Sequence, residues 1–472
     1  MYRNMCCAMA LAVAWGAAPA AYAQEADLAK IRDEIRQLRE AYERRIEALE
    51  MRLAAAEAQR GRAEERAAPS GAAAAPQRER SVGENAFNPA ISLILQGAAA
   101  RSSRDPADYQ LTGFAPSGGE VAPARRSFSL GESELVVSAN IDPYFRGQLI
   151  AALTPENEVE VEEAYFETLA LGRGFRLKGG RFLSAVGYQN ELHPHAWDFA
   201  DAPLAYQAYF GGRLNDDGAQ LKWVAPTDLF LELGAELGRG RSFPASERSR
   251  NAAGAWTVFV HVGGDLAAST AWRAGLSHVR ASPRGRTFED RDALGNPVSQ
   301  SFSGTSRLWI ADFVLKWAPG GNATQTNFKL QGEYFRRNES GSLTYDDSTQ
   351  AAPQFGASFS GDYRSRQSGW YLQGVYQFMP RWRFGYRHDR LDSGRVNNGI
   401  VASGAGPAAA DFPLLMTAHE PTRHTLMLDW GPTEFSRLRL QLASDKSRFG
   451  ATDRQVLLQY IFSLGAHGAH RF

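Results

Sequence analysis

The chain has 472 residues, and its 52 basic side chains balance its 52 acidic ones. That balance argues against a nucleic-acid or anionic-surface partner, and no segment beyond the N-terminus is an apolar run long enough for a membrane helix. The only cysteines, Cys6 and Cys7, sit at the extreme N-terminus, so the rest of the chain offers no disulfide or thiolate chemistry.

Residues 1–23 read as a secretory signal peptide. Arg3 supplies the positive start, Ala8 to Ala18 form a short apolar run, and Ala21-Tyr22-Ala23 is an A-x-A cleavage site. Both cysteines precede the apolar run and leave with the peptide. Residues 24–60 are predicted to form a short α-helical coiled coil. Leu28, Ile31, Ile35, Leu38, Tyr42, Ile46, Leu49 and Leu53 follow 3-4 spacing with one extra step of four, among many Glu and Arg residues. A stripe this narrow would stay wet on a lone helix, so self-association is expected. Residues 61–88, rich in Ala, Arg, Glu, Gln and Pro, read as a flexible linker.

From residue 89 to 472 one pattern repeats: runs of about ten residues alternate apolar and polar, the period of a strand. Roughly sixteen such runs are predicted, within the range of transmembrane barrels. They begin with Ala90–Ala98, Glu134–Ile141, Tyr144–Leu153, Val159–Leu169, Phe175–Arg181, Ala219–Val224, Leu229–Leu237 and Ala255–Val262. They continue with Ala271–His278, Arg307–Trp317, Asn327–Phe335, Gly369–Phe378, Arg381–Arg387, Thr422–Trp430, Phe435–Ala443 and a terminal strand from Asp453. Every second link is short and turn-rich, such as Asp142-Pro143, Gly172-Arg173-Gly174, Met379-Pro380 and Gly431-Pro432. Most links between them are long: 99–133, 182–218, 238–254, 279–306, 336–368 and 388–421. Short periplasmic turns alternating with long external loops are the asymmetry of outer-membrane barrels, and a soluble sandwich has no reason to keep it. The expected fold is therefore all-β: a transmembrane antiparallel barrel preceded by the coiled coil, with the coiled coil in the periplasm. In such a barrel the apolar set meets lipid, the polar set lines a wet lumen, and Trp223, Trp256, Trp317, Trp370, Trp382 and Trp430 mark the interfaces.

In the terminal strand, Val456, Leu458, Tyr460, Phe462 and Leu464 share one face, and Phe472 ends the chain in phase with it. This resembles the closing strand of bacterial outer-membrane β-barrels. The whole pattern resembles bacterial porins of the general, phosphate-selective or dicarboxylate-selective kind, particularly those with a periplasmic coiled coil before the barrel. The resemblance implies a homotrimer in the outer membrane that passes small hydrophilic solutes or ions without a cofactor. The opening AFNPAISLIL also resembles proteobacterial outer-membrane proteins labelled TonB-dependent or zinc-regulated receptors. Such receptors fill a barrel of about 22 strands with a folded plug, and this chain has no plug-sized segment ahead of its first strand.

Lumen charges are predicted to be uneven. Glu132, Glu134, Glu163 and Glu167, with Arg146 among them, form an acidic wall. Arg176 and Lys178 follow, and Arg381, Arg383, Arg387, Arg437 and Arg439 form a basic wall on the late strands. Opposed walls orient dipolar solutes, and the guanidinium ladder points to small anions such as dicarboxylates or phosphate; the competing reading is that these charges only keep the lumen wet and pair locally. Residues 183–218 are the third external loop, which in porins folds inward and narrows the channel. It carries Glu191, Asp198 and Asp201 beside Tyr188, Trp197, Phe199, Tyr206, Tyr209 and Phe210. His193-Pro194-His195 has plausible metal-ligand chemistry, but two histidines on a loop are common without metal, so no metal site is assigned. There is no G-x-S-x-G, H-E-x-x-H or P-loop, so no catalytic residues and no enzyme activity are expected. The alternatives are a receptor-like barrel for metal or nutrient uptake, and a structural or adhesion barrel tethered to the cell wall.

Overall fold

The structure, a computed structural model, describes residues 89–118, 121–246, 249 and 251–465. The signal peptide, coiled coil, linker and Phe472 lie outside the described residues. Within them the dyad runs become strands β1 (Ala90–Ser102), β2 (Ser127–Leu130), β3 (Ser133–Asn140), β4 (Phe145–Leu153), β5 (Val159–Thr168) and β6 (Phe175–Leu183). Next come β7 (Asn215–Val224), β8 (Phe230–Gly238), β9 (Ala255–Ala267), β10 (Thr270–Ala281), β11 (Arg286–Arg291) and β12 (Pro297–Trp317). The last six are β13 (Asn327–Asp346), β14 (Ser358–Met379), β15 (Trp382–Asn398), β16 (Thr422–Thr433), β17 (Ser436–Asp445) and β18 (Asp453–Gly465).

Successive strands pair antiparallel, and β18 returns to β1 in a ladder from Ser92↔Gly465 to Ser102↔Gln455. Closure leaves no open edge, which is what a sheet in lipid requires. The barrel has 16 staves, because two short strands are not separate ones. β2 continues the line of β3 against β1 across Gly131-Glu132, and β11 forms a hairpin with β12 above the end of β10.

The alternation sorts the two faces. Leu440, Leu442, Val456, Leu458 and Tyr460 point outward, each 40% exposed or more, whereas Arg439 and Met427 are buried inside. So much outward apolar surface belongs in a bilayer, and the barrel is of the outer-membrane type. Aromatic girdles bound it. At the turn end, Trp382 and Trp430 stack at 6.0 Å. At the loop end, His278 sits between Trp256 (5.3 Å) and Trp309 (4.3 Å), and His388 between Trp370 (5.2 Å) and His424 (4.4 Å). Trp309 and Trp317 on β12 are separated by roughly 26 Å along the strand at about 3.3 Å per residue, commensurate with an apolar band about 25 Å tall.

Four strands run longer than the periodicity predicts. β12 to β15 span 21, 20, 22 and 17 residues and continue past the outer girdle. Much of 297–306, 336–346, 358–368 and 388–398, expected as loop, is therefore strand. The reason is physical: beyond the bilayer the outward face is polar, as at Ser299, Ser301 and Ser303, so the lipid-driven dyad disappears while the ladder persists. The inner faces there make a small core of their own. Phe302, Leu343, Tyr345 and Tyr363 pack with Phe288, Ile400, Phe412 and Leu415.

Candidate functional site

Loop 3, residues 184–214, folds into the barrel, and its base is closed by one buried side chain. Asn190 donates to the carbonyls of Ser184 (2.7 Å) and Leu214 (2.9 Å) and accepts from Leu214 N–H at 2.7 Å. Beyond it the chain turns at Gly187, whose φ is +65°; a Cβ there would run into Glu333 Oε2. Glu333 accepts from Gln189 N–H (2.9 Å), Tyr206 Oη (2.9 Å) and Tyr371 Oη (2.7 Å), tying the loop to β13 and β14. The loop then forms a helix, Leu204–Phe210, in which every residue is buried. That helix packs on Val279, Leu308, Ile310, Phe335, Tyr371 and Leu391, and Tyr209 stacks on Phe335 at 5.7 Å. Part of the lumen expected to hold water is thus a dry core.

The basic wall turns out to be the loop's anchor. Arg387 donates to Asp201 O at 2.9 Å, Arg423 to Ala202 O at 2.7 Å and Arg439 to Trp197 O at 2.9 Å; Arg437 donates to His195 O. The same guanidiniums meet carboxylates. Arg383 pairs with Asp198 (3.1 Å) and Asp429, Arg387 with Asp201 (2.8 Å) and Asp389 (2.9 Å), and Arg439 with Asp429 (2.8 Å). Burial raises the Asp198 carboxyl, but Lys329 and Arg383 outweigh burial and hold it at about 2. Asp198 is therefore buried against the wall, whereas Asp201, held by Arg387 and Arg423, still lines the open lumen, and Glu191 is tied to Lys222 at 2.8 Å. The balancing acids Asp389, Asp429 and Asp445 sit on β15, β16 and β17, so the arginine ladder is not the unopposed one that its own strands suggest. Arg381 is no part of it: it lies in the β14–β15 turn with φ +71°, exposed at the turn end. Its residue type continues the Arg381-Trp382-Arg383 alternation, but the chain reverses there.

The acidic wall is denser than alternation predicts. Between Ile150 and Ala151 the β4–β5 register slips, so that Ile150 faces Glu163 and Ala151 faces Val161. Glu162 is the extra residue of this bulge, and both Glu162 and Glu163 turn inward. The doubled glutamate inside a dyad run was the signal for it. Glu132, in the β2–β3 interruption, and Glu134, near the start of β3, are also buried. Loop 3 brings both histidines to this wall. His193 Nδ1 lies 3.0 Å from Glu162 Oε2 and 3.3 Å from Glu134 Oε2, and its Nε2 lies 3.2 Å from Glu163 Oε2. His195 Nδ1 lies 2.9 Å from Glu134 Oε1. Arg213, at the loop's return, pairs with Glu162 and, at 3.2 Å, with Glu132. Burial works against charge on His193, but the surrounding Glu134, Glu162 and Glu163 outweigh it and hold the imidazole well above its ordinary range. Glu167 stands apart near the turn end with Arg176 (3.6 Å) and Arg146 (3.9 Å), and Lys178 lies over the Tyr165 ring at 4.3 Å.

Beside loop 3 a cavity of about 800 Å³ remains. Arg101, Asp105 and Arg125 line it at the loop-end rim, and Gln96, Gln441, Gln459 and Trp197 line its depth. Glu132 and Pro194 form part of its wall, which puts the glutamate–histidine cluster next to it.

No family model matches the chain. Among solved structures it is similar to a loop-deletion mutant of the outer membrane protein OmpT of Vibrio cholerae, at 10% identity and TM-score 0.47, over 80% of this chain and 99% of that one. It is also similar to the outer membrane channel DcaP of Acinetobacter baumannii (11%, TM-score 0.45, 80% and 97%) and to OprB of Pseudomonas putida (13%, TM-score 0.43, 80% and 94%). A protein of Aquifex aeolicus (strain VF5), described as uncharacterized, is 30% identical over 416 residues, which are 82% of this chain and 81% of the relative. With that identity running through most of both proteins, this chain belongs to the family of the Aquifex aeolicus protein.

Proposed function

We propose that the protein is a non-enzymatic outer-membrane channel through which small hydrophilic solutes diffuse passively. The observation that carries this reading is the cavity of about 800 Å³ inside a closed barrel, reaching the loop-end rim and lined by glutamine amides together with the paired charges Asp201 and Arg423. Amides, and charges already paired to each other, exchange hydrogen bonds with passing solutes and bind none of them strongly, as conduction requires. An anion preference, for dicarboxylates or phosphate, is the finer reading. Its support is Arg383, Arg387, Arg437 and Arg439, but their engagement with loop 3 and with Asp198, Asp201 and Asp429 leaves a small net field, so the preference we infer is weak. We also propose a homotrimer, supported by the apolar stripe at residues 24–60, with that segment in the periplasm.

Single-channel recording of the folded full-length protein tests the reading. Stepwise conductance is expected, with a reversal potential in a salt gradient that shifts toward cations in Arg383→Glu and Arg437→Glu. Absence of steps from a heat-modifiable, folded preparation would overturn the channel and favour an adhesion barrel or a gated receptor.

A further inference from the structure

The geometry points to a divalent transition-metal site in the constriction, built by Glu134 and Glu162 of the barrel wall and His193 of loop 3, with Glu163 and His195 at its margin. Three observations carry it. First, the nearest donor atoms of Glu134, Glu162 and His193 all lie within 4.8 Å of one another. His193 Nδ1 stands 3.0 Å from Glu162 Oε2 and 3.3 Å from Glu134 Oε2. Adjacent ligands on a tetrahedral ion with bonds of about 2.0–2.1 Å are separated by roughly 3.3 Å, so small adjustments admit an ion among them. Second, the Glu134 side chain is fully buried, and its Oε2 is left with one long contact, 3.3 Å from His193 Nδ1 and outside good hydrogen-bond geometry. A buried carboxylate oxygen left in that state is costly unless something else occupies its lone pairs. Third, the charges do not balance. Glu132, Glu134, Glu162 and Glu163 are buried together, and Arg213 and the His193 imidazole are fewer positive groups than the four carboxylates they pair with. A divalent cation offsets that excess.

The donor set selects the class of ion. Imidazole together with carboxylate suits Zn²⁺, Co²⁺ or Ni²⁺, whereas Ca²⁺ and Mg²⁺ take oxygen ligands. The cluster adjoins the cavity wall at Glu132 and Pro194, which gives the ion a path. Two ligands belong to the wall and one to loop 3, so a bound ion also clasps the loop to β3 and β5. As a stop for ions in transit the site rests on the channel reading; as a binding site it does not.

The test is titration of the folded full-length protein with Zn²⁺ by calorimetry and with Co²⁺ by visible absorption, in detergent. The His467→Ala/His470→Ala variant serves as background, to remove the tail imidazoles. One equivalent of each ion is expected, with Co²⁺ ligand-field bands of low coordination and no competition from millimolar Mg²⁺. His193→Ala and the near-isosteric Glu162→Gln should each weaken Zn²⁺ binding by about tenfold or more. Because Glu162→Gln keeps the side chain's shape, it guards against loss of binding through misfolding, which heat-modifiable mobility monitors. Absence of stoichiometric Co²⁺ bands in the parent, or Zn²⁺ affinity unmoved by both substitutions, would overturn the site. A protein that conducts but binds no Zn²⁺ defeats this proposal alone; one that binds Zn²⁺ but does not conduct defeats the channel and leaves the site standing.

Discussion

Single side chains decide how loop 3 is held. Asn190 closes the loop base with three hydrogen bonds, and no water can replace it without entering a dry site. Asn190→Ala removes the partner of the Leu214 N–H and a donor to the Ser184 carbonyl, while the Leu214 carbonyl keeps the Ser184 N–H at 2.9 Å, which should destabilise the fold by about 1–3 kcal/mol. Urea unfolding in lipid vesicles measures that. A different titration governs the cap above the membrane. There, burial pushes the Asp290 carboxyl up to about 6, against hydrogen bonds from Arg291, Leu414 and Gln300. The folded state holds this proton more tightly than the unfolded chain, whose carboxyl titrates near 3.9. The resulting stabilisation is complete below about pH 4 and is lost as pH rises through about 6. Thermal unfolding followed from pH 4 to 7.5 should show that fall, and Asp290→Asn should flatten it.

At the scale of elements, the two faces of one strand obey different rules. On β17, Leu440 meets lipid and Arg439 meets Asp429 and the Trp197 carbonyl. Leu440→Arg puts an unpaired charge in the apolar band and should cost about 2–4 kcal/mol, read as a lower urea midpoint for refolding into vesicles. Arg439→Ala should cost about 3 kcal/mol by stripping a partner from buried Asp429, and it also frees loop 3. Its channels should therefore be noisier and larger in open current than the parent, whereas Leu440→Arg leaves single-channel current unchanged. Equal currents in all three proteins would mean that the arginines do not hold the loop.

For the molecule as a whole, the decisive property is a closed wall around a partly filled interior. Loop 3 gives one side of the lumen an apolar core around Phe335 and Tyr371, and it leaves the opposite side as a cavity between Trp197 and the Gln96–Gln459 wall. Solute passage is therefore expected to follow the β17–β18–β1 side. Replacing Gln96 and Gln459, which share a 3.0 Å hydrogen bond, by Trp should reduce conductance several-fold. The matching change on the filled side, at Leu391, should alter stability rather than current.

The sixteen staves, the alternation of short turns with long loops and the outward apolar face were all legible in the sequence, because each follows from neighbouring residues meeting lipid or water in strict period two. The inward turn of the third loop was what the resemblance to porins implied, and its aromatics suited packing against the wall. Local pattern could not supply what depends on distant partners. The outer halves of β12 to β15 lost their dyad on leaving the bilayer. The bulge at Glu162 broke the alternation that assigned its neighbours, and the arginines of β15 and β17 met carboxylates from loop 3, from the adjacent β16 and, at Asp389, from β15 itself. His193 and His195 reached Glu134, Glu162 and Glu163 only because the barrel closes and the loop folds across it. A strand's period reports its solvent on either side; which charges then share the interior is set by closure, register and one loop, and those exist only in three dimensions.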